Sequence, residues 1–460
     1  LTKTWFHQGP VGEALGDWEE VDYRDEYWSD DIDQLERSQE IQDFLKGLPR
    51  RAKRDALRTL RGQILRTELY ALDDTTRQTR PYTVTESVNG VREESPPALE
   101  DGERLHIFFP YGLTQRTTQW ERGDEPMTQF SFTEDYDAYG QPQTQITIAC
   151  ARGWQAVDDA RTDYLATHSE STFAQRDDEQ VYIVDRAARA ESYELTLAQP
   201  MTIAQLKQAA LDNAIWRTLI SQSFIYYDGA AFEGLTLGQL GDYGMPVRTE
   251  RFVLTPEILQ DTYRSDESGH EKGVSTTAEI PPYLETAATP WTDEYPQSFQ
   301  NRVNGLPDRA GYRFYSTANN SPYTEGYYVT TERQKYDFQE TSVGSGSAGT
   351  GSTGTGRGHV LAMQDPMGHE TRITYDAYDL LPEVVTDALG LTTQAEYDYR
   401  VMQPKAVTDP NGNRQQFGFT PLGLAAWIAV MGETEEEEKG DTPEQPGTRF
   451  EYDFLAFEER

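Results

Sequence analysis

DPMGHETRITYDAYDLLPEVVT (residues 365–386), DALGLTTQAEYDYRVMQPKAVT (387–408) and DPNGNRQQFGFTPLGLAAWIAV (409–430) are consecutive copies of one pattern. Each copy opens on an aspartate, at Asp365, Asp387 and Asp409, so the period is 22 residues, twice in succession. Gly368, Gly390 and Gly412 coincide, as do Tyr375, Tyr397 and Phe419, and Asp376 and Asp398 follow the two tyrosines. A period of this length marks a stacked array of supersecondary units. D-P-x-G supplies a tight turn: Asp can bond its own backbone two residues on, Pro fixes φ, and Gly takes the positive-φ position. The residues up to the aromatic read as one strand, Y-D opens the next turn, and the run ending in V-V-T or A-V-T returns. These positions are therefore candidate structural repeat residues. One such hairpin cannot bury its apolar face alone; stacking extends it into a sheet. A weaker copy, FTEDYDAYGQPQTQITI, begins at Phe132, and a truncated one begins at Tyr452.

The composition agrees with strands. Aromatics make up 12% of the 460 residues, with 27 Tyr, 18 Phe and 8 Trp, which suits half-buried pleated surfaces. Asp plus Glu outnumber Lys plus Arg by 78 to 41, a formal charge of −37. Phosphate backbones and anionic lipids are bound chiefly through Lys and Arg, so neither nucleic acid nor membrane is an expected partner. Cys150 is the only cysteine, which excludes an intrachain disulfide. Its setting, QITIAC, reads as a strand. No run of 18 apolar residues is present, and LTKTWFHQGP lacks the features of a signal peptide. The non-Met start and an end partway into a repeat lead us to expect a piece of a longer chain.

Outward from the repeats, the spacing of Ile32, Leu35, Ile41, Phe44, Leu45 and Leu48 predicts a helix from Asp31 to about Leu48. After Pro49 a second helix is expected to about Arg61, with Ala52, Ala56, Leu57 and Leu60 inward and a basic, solvated outer face. Strand patterns follow from Gly62, with one more helix expected over Ile203–Gln222. YYDGAAFEGLTLGQLGDYG, from Tyr226, spaces glycines as a phosphate loop does, but it has no G-K-[ST] and no βαβ setting, so turn glycines are expected. SVGSGSAGTGSTGTGRG (342–358) reads as a linker, and GETEEEEKGDTPEQPG (432–447) as a solvated excursion from a hairpin. The expected division is 1–61 (N-terminal helical pair), 62–341 (strand-rich middle), 342–358 (linker) and 359–460 (repeats).

The D-x-x-G…Y-D pattern resembles the RHS, or YD, repeats of polymorphic toxins and teneurins. KTWFHQGPVG at Lys3, LRGQILRTELYALD at Leu60, PYTVTES at Pro81 and the glycine-spaced segment at Tyr226 are similar to the middle and C-terminal region of the B component of insecticidal ABC (Tc) toxin complexes. That resemblance implies a mainly β fold, a large curved antiparallel sheet of stacked hairpins forming part of a hollow shell. It implies a C component as partner, enclosing a cytotoxic cargo domain. It also implies an A component reached through a propeller, of which this chain shows no blade array. A secreted complex and a non-enzymatic role for this chain complete the expectation, with no cofactor.

Two other readings stay open. RHS cores of the C-component type carry a self-cleaving site of the form D-P-x-G, 18 residues, D-P-x-G. The interval recurs here after Gly368 and Gly390, although it equals the repeat period and the middle element, Asp387-Ala-Leu-Gly390, lacks Pro. A shared-proton carboxylate pair needs two Asp in contact. An adhesive surface for carbohydrate or protein is the other reading, since exposed Tyr and Trp stack on sugars. The six histidines are scattered, with no H-E-x-x-H motif, and no metal site is expected.

Overall fold

The computed structural model describes residues 1–12, 16–31, 34–94, 98–100, 103–154, 159–254, 296–304, 311–315, 321–340, 356–433 and 440–456. The protein is mainly β, with 47% strand and 11% helix. Twenty strands are linked by hydrogen bonding into an antiparallel sheet that does not close, and 98–100 with 103–105 form a separate small hairpin. The chain divides into two compact units: residues 1–174 with 184–223, and residues 175–183 with 224–460.

In the first unit, strands 2–6, 64–69, 83–93, 108–119, 127–136, 142–149 and 165–177 pair antiparallel in succession. Helix α1, Gln39–Gly47, starts later than its apolar spacing predicts, because Ser38 caps it by accepting from the Ile41 N–H. Helix α2, Arg50–Thr59, follows Pro49. Its expected inner face is buried as Ala52, Ala56, Leu57 and Leu60, packed with Leu45, Val91 and Phe108. The basic outer face finds acidic and carbonyl partners of its own, Lys53 with Asp17 at 2.5 Å and Arg50 with the Gly16 carbonyl at 3.2 Å.

Helix α3 is shorter than predicted. It spans Ile203–Leu211, opened by a capping box between Thr202 and Gln205. Asn213 then turns left-handed at φ 51°, and Trp216–Tyr227 is a strand. The apolar residues Ile215 and Leu219 continue the helical spacing by coincidence, while the run of β-branched and aromatic residues prefers the pleat. Leu206 and Ala210 cover a second core made by Phe130, Phe132, Ile146, Ile148 and Ala166.

In the second unit, Pro246–Leu254 pairs with Gly326–Tyr336, and Phe224, Tyr226 and Tyr328 form a buried aromatic cluster. The repeats follow as strands 360–364, 370–375, 382–386, 392–398, 403–408, 413–419 and 425–433, each antiparallel to the last. Their register advances with the sequence period. Ala362 faces Arg372, Val384 faces Gln394, and Ala406 faces Gln416. Within hairpins, Arg372 faces Thr386 and Gln394 faces Thr408. Only Ala362, Asp376 and Ala429 are buried among the described residues of 360–433. This stretch is a sheet whose faces carry little core of their own.

Residues 342–355 of the expected linker and 434–439 of the acidic excursion lie outside the described residues. The far end of the excursion folds back: Asp441 accepts from the N–H groups of Val430 and Gly447 at 3.0 and 2.8 Å.

Candidate functional site

The repeat turns are built from backbone donors converging on a carboxylate. Asp365 Oδ1 accepts from the N–H groups of Met367 and His369 at 2.9 and 2.8 Å. Asp387 accepts from Leu389 and Leu391 at 2.9 and 2.8 Å, and Asp409 from Asn411 and Asn413 at 2.9 Å each. Gly368, Gly390 and Gly412 close these turns at φ 79°, 83° and 84°, where a side chain would be strained. The same turn recurs in the weaker copy, where Asp137 accepts from Tyr139 and Gln141 and Gly140 has φ 83°. At the opposite ends of the hairpins Asp376 accepts from Tyr378 and Leu380 at 3.1 and 2.9 Å, and Asp398 from Arg400 at 3.0 Å.

The repeat tyrosines do more than end a strand. The Tyr375 hydroxyl donates to the Val360 carbonyl at 3.3 Å, and the Tyr397 hydroxyl to the Pro382 carbonyl at 2.6 Å. Each bond reaches back to the start of the neighbouring strand. Tyr136 and Tyr452 make related bonds, to Gly112 and Ala425. Phe419 occupies the same repeat position without a hydroxyl.

These contacts fix the electrostatics of the turns. Partial burial pushes the Asp365 carboxyl up, but hydrogen bonds from the His369 ring and backbone outweigh it and hold the group below its usual range. At Asp376 burial is likewise outweighed, by the Leu380 N–H and the Tyr399 phenol. Asp409 is lowered chiefly by the Asn413 side chain. Asp365, Asp387 and His369 line one cavity of about 660 Å³. A shared-proton dyad would raise one carboxyl, whereas the shifts at Asp365 and Asp409 run the other way, as expected of charged acceptors holding turns.

The glycine-spaced loop is already occupied by an internal anion. Asp228 accepts from the N–H groups of Gly241, Gly244 and Met245 at 2.7, 2.8 and 3.0 Å. Gly229, Gly234, Gly238 and Gly244 have positive φ, as turn glycines do.

A buried charge network in the first unit escapes sequence reading. Arg66 contacts Asp31 at 2.9 Å and Glu68 at 2.8 Å; Arg116 contacts Asp31 at 2.8 Å and Glu86 at 2.9 Å. Tyr70 donates to Glu68 at 2.6 Å. Three carboxylates meet two guanidinium groups, and burial raises the Glu86 carboxyl above its usual range despite Arg116 and Arg66. Strand 64–69, ILRTEL, buries Arg66 and Glu68 and leaves Ile64 and Leu69 exposed.

Residues 55–201 match the family model of the insecticide toxin TcdB middle/C-terminal region. That segment, about a third of the chain, is similar to the TcdB middle/C-terminal region. It holds Arg66, Glu68, Glu86 and Arg116 of the buried network and the Asp137 turn. No curated protein sequence matches the chain. Among solved structures, the TcdB2–TccC3–Cdc42 structure matches with TM-score 0.56 and 19% identity, covering 88% of this chain and 18% of that one. TcdB2–TccC3 matches with TM-score 0.56 and 19% identity over 89% and 18%. The Photorhabdus luminescens Tc holotoxin pore matches with TM-score 0.57 and 19% identity over 85% and 17%. These likenesses concern the fold, and the chain spans about 18% of the length of the first structure it matches.

Other chemistry finds little support. Among the described residues no group of three or more His, Cys, Asp or Glu is placed to hold a metal ion. Burial pushes the Cys150 thiol up to about 12, so it is a poor nucleophile. No described helix is long and apolar enough to cross a membrane, which says nothing of a β-barrel.

Proposed function

We propose that this chain is a non-enzymatic wall segment of an insecticidal toxin complex. With a C component it encloses a cytotoxic cargo domain and protects it before delivery. The observation that carries this reading is the repeat sheet, whose pairing advances by one sequence period per hairpin while few of its described residues are fully buried. Such a sheet gains area without thickness, which is what a wall needs and a catalytic cleft does not. The TcdB family match and the likeness to TcdB2–TccC3 structures support the choice of complex.

The structural repeat residues, from Asp365 through Phe419, act as turn and strand-end fixtures. The C component completes the wall and covers strand edges that would otherwise recruit other chains. The A component is reached through a propeller lying outside this chain, and the complex works outside the producing cell. The net charge of −37 disfavours nucleic acid and anionic membrane as partners of this region.

The test is co-expression with a cognate C component followed by size-exclusion chromatography. The reading expects a stoichiometric complex that survives high salt. Separate elution of the two chains would overturn it.

A further inference from the structure

The first unit contains a small cavity of about 240 Å³, lined by Trp28, Trp120 and Trp154 among others. Trp28 and Trp120 meet edge to face, ring centroids 4.9 Å apart at 83°, and both are half-buried. The polar wall is mixed. Asp124 pairs with Arg80 at 2.6 Å, Asp31 with Arg116 at 2.8 Å, and Asp30 is exposed at the rim. Thr118 and Thr128 add hydroxyls. The Trp120 indole N–H and the Arg116 Nε–H are buried without a hydrogen-bond partner, a state that costs stability unless an acceptor is supplied.

Each simple ligand class meets an obstacle here. An anion would face Asp30, Asp31 and Asp124, and a cation would face Arg80 and Arg116. A wholly apolar molecule would desolvate those ion pairs with no polar contact in return. A neutral polyol with an apolar face satisfies all of them. Its C–H face stacks on indole, and its hydroxyls both donate to carboxylates and accept from the partly exposed Arg80 guanidinium. The volume lies below the ~300–1,000 Å³ typical of drug-sized ligands, so the occupant is a single ring.

We propose that this cavity binds one neutral pyranose ring, free or as the end of a glycan. The Trp28–Trp120 pair is the stacking platform, and Asp30 and Arg80 select the hydroxyls. This site is separate from the repeats and does not depend on the wall reading.

Saturation-transfer NMR on the 460-residue chain tests it, using methyl glycosides of glucose, galactose, mannose and N-acetylglucosamine as probes. At least one is expected to bind saturably at millimolar concentration. Trp120→Ala and Asp30→Asn should each weaken that binding by roughly tenfold or more, while Trp216→Ala, at an exposed tryptophan outside the cavity, should not. If Trp120→Ala misfolds by circular dichroism, Asp30→Asn carries the comparison, because its side chain lies at the surface. Absence of binding by all four glycosides overturns the proposal. So does binding that survives the cavity variants, or binding confined to acidic sugars.

Discussion

The hydroxyl of Tyr397 donates to the carbonyl of Pro382 at 2.6 Å, and Tyr375 reaches Val360 across the same interval of 15 residues. The repeated tyrosine thus ties each strand end to the opening of the strand beside it. Such a bond contributes about 0.5–1.5 kcal/mol net. Tyr397→Phe is therefore expected to lower the unfolding free energy read from urea titration by that amount. Phe419→Tyr should raise it, since Ala406 faces Gln416 just as Val384 faces Gln394 and the new hydroxyl would meet the Pro404 carbonyl. No gain from Phe419→Tyr would count against the tie.

The turn glycines separate conformational from steric cost. Gly390 has φ 83° and an added Cβ would meet nothing within 4 Å, so Gly390→Ala should cost about 1–2 kcal/mol, the left-handed penalty alone. Gly140 has the same φ, but its Cβ would sit 2.3 Å from the Phe109 ring. Gly140→Ala should cost clearly more. Equal melting shifts for the two variants would show that the ring gives way freely.

The aspartates of the repeats should be structural. Purified chain incubated beside Asp387→Asn and Asp409→Asn variants is expected to stay intact by mass spectrometry in every case. Cleavage of the wild type that disappears in the variants would revive a self-processing site at the cavity shared by Asp365, Asp387 and His369.

The half-buried Glu20 and the buried Glu86 should respond oppositely to pH. Burial would raise the Glu20 carboxyl, but hydrogen bonds from His7 and Arg37 outweigh it and bring it down to about 2 from 4.5. Its stabilisation is present above the unfolded pKa and is lost as pH falls from about 4.5 towards 2, on the order of 3 kcal/mol in full. Glu20→Gln should flatten that acid limb. The raised Glu86 carboxyl destabilises the fold above its native pKa and is relieved as pH falls. Glu86→Gln should be most favourable relative to wild type near neutral pH and lose that advantage in acid. Urea midpoints across pH 3–8 read both. A Glu86→Gln advantage that grew in acid would contradict the assigned sign.

What could be read from the sequence divides by range. Turns were legible because Asp and Gly act within five residues, as at Asp387 and Gly390, and the period revealed their stacking. The tyrosine hydroxyl bonds were not, since a partner 15 residues away depends on strand register. The end of α3 at Leu211 was hidden by apolar spacing that continues into a strand. The buried network was hidden by an inverted pattern: Arg66 and Glu68 are 0% exposed while Ile64 and Leu69 are 43% and 44% exposed. A hydrophobic-in rule points that strand the wrong way, and the ion pairs of Arg66 and Arg116 with Asp31, Glu68 and Glu86 make the inversion tolerable.

Protease resistance of the cargo domain is the most direct measure of the wall. Cargo co-expressed with this chain and its C component should survive a broad-specificity protease that rapidly degrades the same domain alone, and should become sensitive once the complex is dissociated. Equal digestion of free and complexed cargo would contradict enclosure.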